Sequence, residues 1–135
     1  MRASRIFLVA STLLVVTVVI IGVYLMGSPR QARVRGLDRQ RIQTLTQLSN
    51  AFDGYGYEGR PLPKSLQVLA GERPGIEPAD LRDPETGAPY EYRATSARSY
   101  ELCARFGGSS APDEAIRWAH GPGRKCFQFT LPEAR

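Results

Sequence analysis

The sequence predicts an α+β domain behind one long apolar helix. Three observations predict it. An uncharged run occupies residues 6–26, an apolar stripe at spacings of three and four follows from Ile42 to Tyr55, and alternating segments close the chain.

Residues 6–26 read IFLVASTLLVVTVVIIGVYLM, twenty-one positions without a charge, after a five-residue tail at 1–5. As a helix they span about 31 Å at ~1.5 Å per residue, close to a hydrocarbon core of ~30 Å. Fourteen are Leu, Ile, Val or Phe, each contributing roughly −0.3 to −0.6 kcal/mol at mid-membrane. A cleaved signal peptide has a shorter apolar region, about 7–15 residues, ending at a small-x-small site. Gly27, Ser28, Pro29 and Arg30 provide no such site, and no cysteine follows for lipid attachment. The run is therefore read as a retained transmembrane signal anchor.

The net charge of +5 is unevenly placed. Arg2, Arg5, Arg30, Arg33 and Arg35 precede Leu37 without any acid, while from Leu37 onward 13 bases face 13 acids. The excess brackets the apolar run, where it meets anionic lipid headgroups. A neutral folded module lacks the basic face that nucleic acid requires, so no nucleic-acid partner is expected. Counting arginines alone puts the C-terminal domain in the cytoplasm. The cysteines argue for the extracytoplasmic side, which is the reading adopted.

Residues 27–36 (GSPRQARVRG) are read as a basic linker, with Pro29, Gly27 and Gly36 loosening it, before an extracytoplasmic domain at 37–135. Asp38 is the expected N-cap of an amphipathic helix, with Leu37 and Ile42 at staple spacing. Ile42, Leu45, Leu48, Phe52 and Tyr55 form its stripe, and Gly54 and Gly56 are expected to end it. A proline-guided turn then leads into a short helix bearing Leu66 and Leu69, closed by Gly71. Residues 72–82 are loop with one helical turn.

Three strands are expected at Tyr90–Ala94, Ser99–Phe106 and Cys126–Leu131, the first two joined as a hairpin through 95–98. Tyr100, Leu102, Ala104 and Phe106 share one face of their strand, as do Phe127, Phe129 and Leu131 of the last. The amphipathic helix packs on that face of a small antiparallel meander.

Cys103 and Cys126 fall on the opposite face, where cross-strand neighbours come within bridging range. A disulfide between them is expected, and with it an oxidising compartment. His120 is the only histidine, and with both cysteines it forms a conceivable zinc triad. The spacing matches no zinc motif, a disulfide removes the thiolates, and His120 with Trp118 is read as packing. GPGRK at 121–125 lacks phosphate-loop spacing. Asp113 and Glu114 are the candidate oxygen donors for calcium, though adjacent acids are first of all solvated surface. No residue is assigned as catalytic and no cofactor is required.

The stretch LRDPETGAPYEYR, 81–93, has the look of an acid–base loop. Each residue nonetheless has a backbone role. Pro84 sets φ for a turn, Asp83 can accept from the N–H groups of Glu85 and Thr86, Gly87 supplies positive φ, and Pro89 admits the chain to the sheet. Glu85 is left over and is expected to point to solvent.

The order of these features resembles the pseudopilins of bacterial type II secretion and related minor pilins. Those proteins join an N-terminal membrane helix to an amphipathic helix, a leucine-bearing short helix, and a DPWGNPYxY-like turn into a β-meander. The counterparts are residues 6–26, 37–55, Tyr57–Leu69, and Asp83-Pro84 with Gly87-Ala88-Pro89-Tyr90-Glu91-Tyr92. The family's processing site is absent: Arg5-Ile6 offers no glycine, and 6–26 has no glutamate. The resemblance implies a non-enzymatic structural protein that assembles with itself or docks on a secretion or cell-envelope complex, and it adds some weight to calcium. The alternative expectation is a tethered ligand-binding or enzymatic domain acting through loop 107–124, with His120 and Asp113.

Overall fold

The computed structural model describes residues 2–26, 28–110 and 116–134, divided into two units on either side of the Arg33–Val34 bond. In the first unit, helix α1 runs Arg2–Met26 and is long and apolar enough to cross a membrane by length and composition. Its large apolar side chains, Ile6, Leu14 and Ile20 among them, are exposed.

Helix α2 spans Pro29–Tyr57, so the helix begins eight residues before Leu37. Pro29 and Gly36 therefore do not loosen this segment, which is helical from Pro29 onward. Proline at the first helical position has no N–H to lose and a φ already suited to the helix. Ser28 caps that turn, its Oγ accepting from the Gln31 N–H at 3.2 Å. Gly36 lies within the helix, and the other end also runs on, through Gly54 and Gly56. Gly56 is there for closeness: a Cβ at that position would sit 2.6 Å from Pro132 Cδ and 2.7 Å from its carbonyl oxygen.

In the second unit, the predicted stripe of α2 faces the core. Leu45, Leu48, Phe52 and Tyr55 are buried and Ile42 is partly so. Each fully buried large side chain stabilises the fold by about 1.5–3 kcal/mol relative to exposure. Helix α3, Leu66–Glu72, is capped by Ser65 and continues past Gly71. The expected helical turn is a 3-10 helix at Pro78–Leu81.

The sheet is β1 (Glu91–Ala94), β2 (Ser99–Phe106) and β3 (Gly123–Thr130), antiparallel in that spatial order. Tyr90 and Leu131, expected within strands, lie just outside β1 and β3, and β3 starts three residues before Cys126. Register places Tyr100 against Phe129, Leu102 against Phe127 and Cys103 against Cys126. The inner face meets α2 through aromatic stacking: Phe52 lies 4.3 Å from Tyr100 and 5.0 Å from Tyr92, centroid to centroid. The architecture is α+β, with the helical stripe packed on one face of a three-stranded meander.

The outer face is polar. Glu101 accepts from Arg93 at 2.8 Å and from Gln128 at 3.0 Å, a polar row across all three strands. Cys103 and Cys126 are joined as a disulfide between directly paired residues. Closing a loop of this length contributes roughly 3 kcal/mol in the chain-entropy estimate.

Candidate functional site

The loop at 81–93 closes on itself. The Asp83 N–H donates to the Ala88 carbonyl at 2.8 Å, and the Gly87 N–H to the Asp83 carbonyl at 2.9 Å. An isolated antiparallel bridge pairs Arg82 with Pro89 just before β1. Gly87 takes φ +69°, a conformation that L side chains rarely adopt. Inside the loop, Asp83 Oδ1 accepts from the Glu85 N–H at 3.0 Å and the Thr86 N–H at 2.9 Å.

Arg41 of α2 inserts against the same carboxylate. Its Nε donates to Asp83 Oδ2 at 2.5 Å and its Nη2 to Asp83 Oδ1 at 3.0 Å. Nη2 also reaches Glu85 Oε2 at 2.9 Å, and Nη1 donates to Asp38 Oδ1 at 2.8 Å. Glu85 therefore does not simply point to solvent; its half-exposed side chain is the outer member of this cluster.

Asp38 is not an N-cap either. It is buried in the body of α2 and accepts from the Gly107 N–H at 2.9 Å and the Gly108 N–H at 2.8 Å, just beyond the end of β2. Val34 leaves no room at Gly107, where a Cβ would lie 2.8 Å from Val34 Cγ1. One chain of charge-assisted bonds thus runs from the Gly107-Gly108 backbone through Asp38 and Arg41 to the entry turn of the sheet.

The electrostatics agree. Burial raises the Asp83 pKa, but the Arg41 hydrogen bonds and the Thr86 and Glu85 N–H groups outweigh it and hold the carboxyl at about 2. The Arg41 pKa is raised, chiefly by its bond to Asp83, with burial opposing. A carboxylate locked in its charged form by fixed donors is a poor proton shuttle near neutrality. The cluster is built to hold elements together.

The other candidates are placed as follows. His120 is buried, its ring stacked 3.8 Å from Phe106 and its Nδ1 3.1 Å from the Gly108 carbonyl oxygen. Trp118 packs edge-on to Phe127 at 4.9 Å. Both sulfurs of the imagined zinc triad are in the disulfide. Asp113 and Glu114, the calcium candidates, lie outside the described residues. Among the described residues no group of three or more metal-ligating side chains converges.

The chain matches no protein-family model, no curated protein and no solved structure. Its functional reading rests on its own side chains. Sequence reasoning missed Arg41, Gly107 and Gly108. A signal for the first was present: Asp38 and Arg41 continue the stripe of Leu45, Leu48, Phe52 and Tyr55 at alternating steps of three and four. A charged pair on an apolar stripe must be desolvated together, and so needs further partners.

Proposed function

We propose that this chain is a single-pass membrane protein displaying a pseudopilin-like domain outside the cytoplasmic membrane. It works there without catalysis, as a structural or docking component of a secretion or cell-envelope assembly. The observation that most supports this is the use of the 81–93 loop. Its two turn acids, Asp83 and Glu85, are bound to Arg41, and its backbone donors and acceptors close the turn itself. Such a loop fixes an angle between a helix and a sheet; it presents no activated group to a substrate.

The apolar helix α1 supplies the anchor, and the arginines flanking it meet lipid headgroups. The Cys103–Cys126 bond supports the extracytoplasmic side, because such bonds persist in oxidising compartments. The test is labelling of both cysteines in intact cells with a membrane-impermeant maleimide, with and without reductant and outer-membrane permeabilisation. Labelling that needs both treatments is expected; free thiols on the cytoplasmic side overturn the reading. His120→Ala, made in parallel, is expected to leave function intact wherever folding is retained.

A further inference from the structure

The outer face of the sheet carries an open groove of about 980 Å³ whose lining includes Cys103 and Cys126, together with Lys64, Gln67, Glu91 and Arg124. The two sulfurs in it are not equivalent. Cys103 is 4% exposed whereas Cys126 is only half-buried. Arg124 Nη2 lies 3.5 Å from Cys103 Sγ, and the same guanidinium holds Glu91 through contacts of 3.0 and 2.6 Å.

Thiol–disulfide exchange needs access to one sulfur and a stabilised thiolate at the other. Access favours attack at Cys126. A neighbouring cation lowers a thiol's pKa and makes it a better leaving group, which favours departure of Cys103. Both asymmetries point the same way.

We propose that Cys103–Cys126 is an exchangeable disulfide, opened by a dithiol reductant that enters this groove, attacks Cys126 and expels Cys103 as a thiolate beside Arg124. The first reductant thiolate forms a bond to Cys126 Sγ as the Cys103–Cys126 bond breaks, its electron pair passing to Cys103. The second reductant thiol gives up its proton and attacks the mixed disulfide, releasing Cys126, which takes a proton. The reductant leaves as a disulfide, two electrons having passed to the two cysteines. Opening removes the covalent link between β2 and β3 in the floor of the groove, so its shape answers to the redox state outside.

The test uses the full-length protein in detergent micelles. Excess dithiothreitol opens the bond at pH 7.5, alkylation quenches the reaction, and the mass shift gives the rate. A cation shifts a neighbouring thiol by about one pKa unit or more, and with exchange rates following roughly half of such a change, Arg124→Gln slows opening about threefold. Glu91→Gln leaves Arg124 unneutralised and speeds it, and Arg124→Lys keeps the charge and stays near the wild-type rate. If Arg124 and Glu91 merely brace the strands, both removals speed opening, and that result overturns the proposal, as do unchanged rates. A readout independent of these variants is the wild-type protein with glutathione. Mass mapping is expected to find the mixed disulfide on Cys126; a majority on Cys103 overturns the proposal.

Discussion

Arg41 and Asp83, forty-two positions apart, meet in a two-point ion pair in the interior of the domain. The planar guanidinium matches both carboxylate oxygens at once, which fixes the orientation of each group as well as their separation. Their side chains are 3% and 7% exposed, so neither charge has water to fall back on.

Removing one partner of such a pair leaves the rest of the cluster charged and buried. Arg41→Met is expected to destabilise the domain by about 3–5 kcal/mol, since Asp38 and Asp83 lose their common cation. Arg41→Lys restores the charge without the fork and recovers only part of that loss. Urea unfolding of the full chain in detergent, followed by the fluorescence of Trp118, its one tryptophan, reads the difference. A loss below about 1 kcal/mol would show the pair to be no more than a surface bridge.

The same pair sets a pH dependence. The Asp83 pKa is depressed from 3.8 to about 2 on folding, so the unfolded chain binds the proton more readily. Its contribution to stability is therefore complete above about pH 4 and is lost as pH falls toward 2. By linkage it amounts to about 2 kcal/mol. The stability gap between wild type and Asp83→Asn should narrow as pH falls from 5 to 2. A constant gap would mean that Asp83 is not held in its charged form.

These tests bear on how far the fold was legible. Strand β2 and its buried face could be read directly, because alternation of Tyr100, Leu102, Ala104 and Phe106 with polar residues has a period that no helix shares. The Asp83 turn was legible for a similar reason, since its bonds are local. Arg41 was not, because its partners lie in segments that sequence spacing cannot bring together. Pro29, Gly54 and Gly56 misled in one direction: each weakens a helix on intrinsic grounds, yet a place in the first turn or a close tertiary neighbour outweighs that cost. The connection expected at 107–124 was legible from its glycines, prolines and serines, but Gly107 and Gly108 were not legible as the place where Asp38 is received.

The glycines of α2 separate these cases experimentally. Gly36 has open space where a Cβ would go, so Gly36→Ala should stabilise the helix by up to about 1 kcal/mol. Gly56→Ala puts a methyl group into the Pro132 backbone and should cost about 1–3 kcal/mol instead. Both are read from the same unfolding curves. Destabilisation at Gly36 would contradict the continuation of α2 through that residue.

The entry turn supplies the sharpest contrast, between nearby residues of opposite apparent importance. Glu85 is charged and touches Arg41, but half its side chain is in water, and Gln keeps an oxygen that can accept from Nη2. Glu85→Gln should change stability by no more than about 1 kcal/mol and leave function unaltered. Gly87 touches nothing where its Cβ would be, so any cost of substitution comes from φ alone. Left-handed backbone costs an L residue about 1–2 kcal/mol, and a β-branched one more. Gly87→Val should therefore destabilise clearly, Gly87→Ala by an intermediate amount, and Gly87→Asn least, because Asn tolerates this region. That ranking is opposite to a size effect alone, in which Asn would be worse than Ala. Equal losses for Ala and Asn would mean that the turn is not held by its backbone, and loss of function in a folded Glu85→Gln protein would return the loop to chemistry.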